Sequence, residues 1–397
     1  MKTLVNSTLF YFLAPICFSL VLLLVFFHIP NDFYLSLFAL FFVIVSMTLL
    51  VKFLIPVKIK ISRSFELILQ KKEHKVIVFL FCCIVLLGGP LDVYQNGFKL
   101  LDPNSYAEFN GVGRYIRNIS SLCWTFVPIA FVFINSAKYK LILIGYALIF
   151  PIIILDRNRL FSSFYSLALC LILIPTTAVN KEVLKTSKRR NLLVLLFVVF
   201  LTFPGLGLFR SGTDAFLIES SGDVLSEGEL PLRDIFYYLP LLFQQIVLYL
   251  TTPSFNFATI VYFDFLNEEF LLSQLAPFGR DLFDTYPYAP VMVPRFNVGT
   301  EFYPFLLYGG LPLVALSISG MVFSFLLAGL LVTKKPNIFT FLIFLKISYS
   351  VAFMGFAPQF YLLLNFTFIF LMIILWLFSR LLNQGMRTVI GQEKLRI

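Results

Sequence analysis

Apolar residues fall into ten runs along the chain, separated by shorter stretches in which the charged residues gather. A membrane-spanning helix needs about 20 mostly apolar residues, and each run meets or approaches that length. The runs cover residues 8–28, 33–54, 76–91, 119–135, 141–155, 160–178, 192–209, 311–332, 338–355 and 361–379. The pattern predicts an all-α, polytopic integral membrane protein with about ten transmembrane helices in a single membrane domain, residues 1–397.

One further apolar stretch, residues 235–265, lies outside these runs. It fits a re-entrant or interfacial helix, and it equally fits a pair of extra spans, which would raise the number of spans to 11 or 12. It belongs to the longest segment between two runs, residues 210–301. Loops longer than about 12–15 residues are usually functional or disordered. The many Phe, Tyr, Leu and Pro residues of this segment favour an ordered structure lying over the membrane.

The distribution of basic residues predicts the orientation. Cytoplasmic loops of membrane proteins are enriched in Lys and Arg. With the amino terminus inside, the inner segments hold 21 of the 31 basic residues and only four acids. Both termini are therefore predicted to be cytoplasmic, and residues 92–118 and 210–301 become the first and the large periplasmic loops. The net charge of +10 is then a topology signal and does not indicate binding to nucleic acid.

Composition excludes the soluble classes of protein. Hydrophobic residues make up 59% of the chain and charged residues 13%, with a mean hydropathy of +0.90, whereas soluble domains have about 45–50% and about 25%. The five cysteines lack metal-binding spacing, and the chain has only two histidines. A metal site, a Ser-His-Asp triad and a nucleotide-binding loop are therefore not expected, and no cofactor is predicted.

Arginine dominates the basic residues on the predicted outer side, where eight of nine are Arg. The planar guanidinium group binds phosphate oxygens two at a time, so Arg is preferred where an anion is held near lipid. The outer turn Asp156-Arg157-Asn158-Arg159 is the sharpest cluster. Its alternative role is contact with lipid headgroups at the membrane surface. The residues proposed to surround a bound anion are Arg157, Arg159, Arg210, Arg280 and Arg295.

Two stretches carry a family resemblance. Residues 297–303 read NVGTEFY and residues 308–312 read YGGLP, running into a span rich in small residues; residues 249–253 read YLTTP. Together with the large outer loop, they make the chain resemble the O-antigen polymerase family of bacteria, the oligosaccharide repeat-unit polymerases. The resemblance covers the whole chain in architecture, and its motifs are short. An Arg followed eleven residues later by Gly, a spacing described in some members, does not occur in the large loop.

The resemblance implies a glycosyltransferase of the bacterial inner membrane that takes part in lipopolysaccharide biosynthesis. It would transfer a glycan from undecaprenyl pyrophosphate to a sugar hydroxyl of a lipid-linked repeat unit at the periplasmic face, without a metal ion. The arginines would neutralise the pyrophosphate leaving group, and a carboxylate would take the acceptor proton. The candidate bases are Glu301, Asp214, Asp156 and Asp264, while Tyr303 and Tyr249 would stack on sugars. The implied partners are the lipid-linked oligosaccharide, membrane lipid, a chain-length regulator and a flippase.

Two other functions fit parts of the pattern. A flippase for the lipid-linked repeat unit would also need cations for pyrophosphate, but within a cavity among the spans and with short loops on both sides. An O-antigen ligase would share the donor and the plan of spans, and it would differ only in its acceptor. A scaffold without catalytic activity is the remaining alternative.

Overall fold

A computed structural model describes residues 5–103, 112–174, 230–275 and 299–393, together with separate positions between 190 and 209. The described residues form an all-helical fold, and their helices are numbered here in chain order. They are α1 (Thr8–Phe26), α2 (Asn31–Leu54), α3 (Ile61–Lys71), α4 (Lys75–Asn96), α5 (Gly113–Ser120), α6 (Phe126–Phe133), α7 (Ala137–Ile153), α8 (Arg157–Leu173), α9 (Asp234–Tyr237), α10 (Leu241–Phe263), α11 (Glu268–Leu275), α12 (Tyr303–Lys334), α13 (Ile338–Phe353) and α14 (Leu363–Glu393).

Seven helices among the described residues are long and apolar enough to cross a membrane. Six of them coincide with runs predicted from the sequence, and the seventh is α10. The helices α7, α8 and α13 also coincide with predicted runs, but they have only 17, 17 and 16 residues. The run at 192–209 lies largely outside the described residues. The seven candidate spans are Thr8–Phe26, Asn31–Leu54, Lys75–Asn96, Gly113–Phe133, Leu241–Phe263, Tyr303–Lys334 and Leu363–Leu382.

The chain divides into two compact units. Unit 1 comprises Met1–Ile59, Phe197–Leu330 and Lys346–Asn365, and unit 2 comprises Lys60–Leu196, Leu331–Leu345 and Phe366–Ile397. The single membrane domain expected from the sequence stays a prediction.

Unit 1 is built on the hairpin of α1 and α2, against which α10 packs. The hairpin end carries an isolated antiparallel bridge between Phe27 and Leu232, and Arg233 donates its backbone N–H to the carbonyl of Phe26. A buried apolar cluster covers this end because aromatic and aliphatic side chains of all three helices meet there. Its members include Leu23, Phe27, Phe33, Leu37, Leu232, Phe236, Leu248 and Phe255.

Helix α10 packs against both helices of the hairpin. The Phe236 ring, just before α10, lies 6.5 Å from the Phe26 ring, and the Tyr262 ring, at the far end of α10, lies 5.6 Å from the Phe33 ring. Near the middle of α10, Ser254 lies 2.8 Å from Ser19 of α1. Residues 235–265 therefore contain one long helix in place of a pair of spans, and by length and composition this helix is itself a candidate span.

Helix α12 contains a break at Gly309 and Gly310, which have non-helical backbone angles. Gly310 has φ of +67°, a conformation that glycine adopts without the steric cost paid by other residues. Pro312 follows within the first turn of the continuing helix, where its missing N–H is tolerated. The predicted run at 311–332 therefore begins where the second part of α12 begins.

Unit 2 is built on α4 to α8, with α4 packed on α5 and with α6, α7 and α8 packed on one another. Close approach of α4 to α7 depends on Gly89, because a Cβ there would lie 1.8 Å from the Tyr146 hydroxyl. Among the packing contacts of unit 2, the Phe65 ring of α3 lies 4.8 Å from the Phe341 ring.

Candidate functional site

Asp92, near the end of α4, is the centre of a buried polar network in unit 2, and it is 0% exposed. Both of its carboxylate oxygens lie 3.0 Å from Nε of Arg117. Asn96 donates to Oδ1 over 2.7 Å, and the Ser120 hydroxyl donates to Oδ2. A buried carboxylate is costly unless an opposite charge and hydrogen-bond donors meet it. Asp92 has both.

Arg159 is the second guanidinium group of this network. Its Nη2 donates to the carbonyl of Arg117 and its Nη1 donates to the hydroxyl of Ser120, both over 2.9 Å. Its Nε lies 2.6 Å from Asp156, which also accepts the backbone N–H of Arg159 as the N-cap of α8. Nη1 lies 3.7 Å from Oδ2 of Asp92. Every nitrogen of the Arg159 side chain therefore contacts the network.

Helical spacing and one glycine bring these groups together. Asp92 and Asn96 are four residues apart on α4, and Arg117 and Ser120 are three apart on α5, so each pair shares one helix face. Asn96 also donates to the carbonyl of Gly113 over 3.0 Å. A Cβ at Gly113 would lie 2.0 Å from the Asn96 side chain. The absence of a side chain at Gly113 therefore lets α5 start against α4.

The network itself balances two guanidinium groups with two carboxylates, and further arginines adjoin it. Arg114 is exposed on α5, one turn before Arg117, and Arg157 is the half-buried first residue of α8. These two cations make this end of unit 2 positive. Arg114 is the more accessible of the two, because Nη1 of Arg157 is buried. A bidentate guanidinium fork is well suited to a phosphate group.

Glu301 is a second buried carboxylate, and it belongs to unit 1. It is 0% exposed, and its oxygens accept three successive backbone N–H groups, from Gln359, Phe360 and Tyr361, over 2.5, 2.8 and 3.0 Å. Its own backbone N–H donates to the carbonyl of Met354 over 2.7 Å. These four bonds form a clamp between the start of α12 and the segment that joins α13 to α14.

The electrostatics of the Glu301 clamp differ from those of an ion pair. Burial raises the pKa of Glu301 to about 7, and the three N–H bonds oppose this rise because they stabilise the ionised form. Glu301 lies outside the helices long enough to cross a membrane. Its raised pKa gives a carboxyl group that exchanges its proton near neutral pH, as a general base does.

Most of the predicted site residues fall into three groups. Tyr249 and Asp264 stand apart from them, and Asp264 is exposed at the end of α10. Asp156, Arg157 and Arg159 lie together at the start of α8, as the sequence predicted for its four-residue turn. Glu301 and Tyr303 are buried at the start of α12, where the Tyr303 ring makes an edge contact with Phe270 at 6.3 Å. Tyr249 packs against the apolar cluster of unit 1. The third group, Asp214, Arg210, Arg280 and Arg295, lies outside the described residues.

Asp92 and Ser120 were not among the predicted site residues. Asp92 directly follows the run drawn at 76–91, and the helix extends through it to Asn96. An acid four residues before an amide at the end of an apolar run was the available signal. Ser120 carried no distinguishing pattern. Among the described residues, no group of three or more His, Cys, Asp or Glu side chains gathers to hold a metal ion.

The chain matches no protein-family model, no curated protein and no solved structure. By its helices and composition it has the character of a polytopic membrane protein.

Proposed function

We propose that the protein is a bacterial inner-membrane glycosyltransferase of the O-antigen polymerase kind. It would join undecaprenyl-pyrophosphate-linked oligosaccharide repeat units at the periplasmic face. The observation that carries the proposal is the arginine-rich end of unit 2, where a buried network orders Arg117 and Arg159 beside Arg157. Preorganised cations at a membrane boundary are what a reaction with a pyrophosphate leaving group requires.

The proposed orientation follows from the basic residues and from α10. The proposal takes α10 as an interfacial helix, whereas its length and composition also fit a full crossing. A full crossing would reverse every later segment and place Lys334 and Lys335 outside. The interfacial assignment keeps these lysines with the other inner basic residues, in agreement with the positive-inside tendency.

In the proposed reaction, the hydroxyl of the acceptor sugar attacks the anomeric carbon of the donor glycan. The new glycosidic C–O bond forms, the C–O bond to the pyrophosphate breaks, and undecaprenyl pyrophosphate leaves with the electron pair. Arg157 would hold the pyrophosphate oxygens, and its buried Nη1 would have to turn outward to complete a bidentate contact. Arg117 and Arg159 would shape and stabilise the surface from which Arg157 projects, because Nε of Arg117 is bound to Asp92 and the nitrogens of Arg159 are bound to Asp156, Ser120 and the carbonyl of Arg117.

A carboxylate would accept the proton of the attacking hydroxyl. Of the candidates that the structure describes, Asp156 is paired with Arg159, which favours a structural role. The raised pKa of Glu301 supports a role as base, but its oxygens are bound to three N–H groups, so proton transfer would require the clamp to open. Asp214 stays a candidate from the sequence.

The test is the surface polysaccharide of a deletion strain, separated on a gel. A product with a single repeat unit on the lipid core indicates a missing polymerase, and complete absence of repeat units indicates a missing flippase or ligase. Complementation with Arg157→Ala should abolish long chains at normal protein level, and Arg157→Lys should restore them only partly because the bidentate contact is lost. Arg210→Ala and Arg295→Ala are expected to behave like Arg157→Ala.

The matched control is Arg63→Ala. Arg63 is an exposed arginine of α3 in the predicted inner loop, so its removal should leave the chain-length distribution unchanged. Full chain length in Arg157→Ala, at the protein level of Arg63→Ala, would refute the assignment of Arg157 to the pyrophosphate.

A further inference from the structure

Two connections on the predicted cytoplasmic side of unit 2 carry lysines that the proposed chemistry does not use. One joins α3 to α4 and the other joins α6 to α7. Together, residues 71–75 and 134–140 hold five lysines and a single acid, Glu73. Glu73 lies 4.0 Å from Nζ of Lys71 and 3.8 Å from Nε2 of His74. The two segments therefore carry four more ammonium groups than carboxylates. The lysines are Lys71, Lys72, Lys75, Lys138 and Lys140.

Side-chain contacts bring the two segments together. Lys72 donates from Nζ to Oδ1 of Asn135 over 2.6 Å, which joins the α3–α4 connection to the α6–α7 connection. Nζ of Lys140 lies 5.4 Å from the centre of the Phe131 ring in α6, a contact in which the ring attracts the ammonium group. The positive charges of both segments are therefore gathered in one place.

Helices α4 and α7 rise from this place side by side. The hydroxyl of Tyr146 donates to the carbonyl of Leu86 over 3.5 Å. Lys75 lies eleven residues before Leu86, and Lys138 lies eight residues before Tyr146. At the helical rise these separations are about 16 Å and about 12 Å. Lys75 and Lys138 therefore begin neighbouring helices at similar depths.

The lysines border an apolar surface. Lys75 and Lys138 are both exposed, and exposed apolar side chains continue each helix from its lysine towards the membrane. A long cationic side chain beside exposed apolar residues is typical of the boundary between lipid headgroups and acyl chains. The apolar residues are Val76, Phe79 and Leu80 of α4 and Tyr139, Leu141 and Ile142 of α7.

This arrangement restricts the class of ligand. The charged end requires an anion, and the adjoining surface requires hydrocarbon, so a free phosphate ion would use only half of it. Basic surfaces between transmembrane helices on the cytoplasmic side suit the headgroups of anionic lipids, and each lysine near the membrane surface contributes about 1 kcal/mol. A headgroup with two phosphates matches an excess of four positive charges better than a headgroup with one.

We propose that the first turns of α4 and α7 form a binding site for an anionic phospholipid with two phosphate groups. Lys75 and Lys138 would contact the phosphates, and Lys72 and Lys140 would add to the positive potential from the positions that Asn135 and Phe131 give them. The acyl chains would lie along the exposed apolar residues of α4 and α7. The site does not rest on the proposed function, since it uses the opposite side of the membrane.

The experiment measures lipid binding to the full-length protein in detergent by native mass spectrometry. The probes are diphosphatidylglycerol, with two phosphates, phosphatidylglycerol, with one, and the zwitterionic phosphatidylcholine. Diphosphatidylglycerol should bind at least about five-fold more tightly than phosphatidylglycerol. Lys75→Gln and Lys138→Gln should each weaken its binding about five-fold, as expected for about 1 kcal/mol per lysine, and the double variant about twenty-fold.

Two controls separate a local site from general attraction. Lys52→Gln removes an exposed lysine at the end of α2 in unit 1, and it should bind all three lipids like the wild type. The double variant with Arg at positions 75 and 138 keeps both charges, so it should bind diphosphatidylglycerol within about two-fold of the wild type. Thermal unfolding without added lipid checks that every variant is folded.

Several results would overturn the site. One is equal affinity for diphosphatidylglycerol and phosphatidylglycerol, which would indicate attraction to any anionic lipid. Another is a loss in Lys52→Gln as large as in Lys75→Gln, which would assign the effect to the whole cytoplasmic surface. Displacement of the lipid by an equal concentration of inorganic pyrophosphate would indicate a site for free anions. Wild-type affinity in both single variants would also refute it, whether or not the double variant folds.

Discussion

The two units each bury one carboxylate completely, and they compensate its charge in different ways. In unit 2, Asp92 is met by the guanidinium group of Arg117 and by the side chains of Asn96 and Ser120. In unit 1, Glu301 is met by three backbone N–H groups from residues 359–361. One centre is built from side chains and full charges, and the other from backbone dipoles.

The difference determines what each centre is sensitive to. Removing one charge from the Asp92 network leaves opposite charges buried and uncompensated, which is among the most costly changes in a protein interior. The hydrogen-bond partners of Glu301 in the clamp are backbone N–H groups without a full charge, so burial outweighs the dipoles and raises the pKa of Glu301. We therefore expect the first centre to respond strongly to substitution and the second to respond to pH.

The largest expected effect is that of Asp92→Asn. This change leaves Arg117 buried without its charged partner and weakens the surroundings of Arg159, so the free energy of unfolding should fall by about 3–5 kcal/mol. Thermal unfolding of the purified protein in detergent measures it. The matched control is Asp264→Asn, because Asp264 is exposed and has a left-handed φ of +47° that Asn also adopts readily.

If Asp92→Asn lowers the free energy of unfolding no more than Glu301→Gln does, the expected difference between the two centres is wrong. It would mean that full charges add nothing beyond the hydrogen bonds that both centres share.

Much of the fold was predictable because long apolar runs carry a strong signal. The runs at 8–28 and 33–54 became α1 and α2 with shifts of only a few residues at their ends. The predicted run at 119–135 was less accurate, because its helical path begins at Gly113 and passes through a 3-10 turn at Ser121–Thr125. The polar residues at 113–118 concealed that start: Arg117 is buried and paired with Asp92, whereas Arg114 and Asn118 are exposed.

Residues 235–265 were ambiguous for a different reason. Gln245, Thr252 and Asn256 lower the mean hydropathy of this stretch, and the remaining residues are apolar enough to span. Hydropathy cannot distinguish a helix that crosses the bilayer from one that lies across a hairpin end, because both bury the same kinds of side chain. The structure shows one helix there, Leu241–Phe263, in place of a pair of spans.

The candidate site was predictable where its members are close in sequence. Asp156, Arg157 and Arg159 form one turn, and their grouping followed from the sequence alone. Asp92 lies 25 residues from Arg117, its hydrogen-bond partner, and only packing of α4 on α5 joins them. The Glu301 clamp was beyond sequence reasoning, because its partners are backbone N–H groups, which every residue except proline supplies.

The second prediction is a pH dependence that belongs to Glu301. Its pKa is about 7 in the folded protein against an ordinary value of 4.5, so the folded state holds its proton more tightly than the unfolded state does. The stabilisation that protonated Glu301 contributes is therefore fully present below about pH 4.5, and it is lost as the pH rises towards 7. The whole change is about 3 kcal/mol, since each pKa unit corresponds to about 1.4 kcal/mol.

The measurement is the unfolding temperature of the wild type and of Glu301→Gln at intervals between pH 5 and pH 8. The glutamine cannot titrate, so the difference between the two proteins should decline across this window and become constant above it. Glu269→Gln, at an exposed position in α11, should follow the wild type at every pH. A difference that stays constant between pH 5 and pH 8 would contradict the raised pKa, because it would mean that the three N–H bonds keep Glu301 ionised across this window.

The smallest expected effect is that of Tyr361→Phe, and it is compared here with that of Ser120→Ala. Tyr361→Phe removes a hydrogen bond from the Tyr361 hydroxyl to the carbonyl of Ser317, but the backbone N–H of residue 361 still binds Glu301. The cost should be about 1 kcal/mol, and the pH dependence of the clamp should persist. Ser120→Ala should cost more, because the hydroxyl of Ser120 both donates to Asp92 and accepts from Arg159. Equal losses in the two variants, measured by thermal unfolding, would contradict the distinction between a centre built from side chains and one built from backbone.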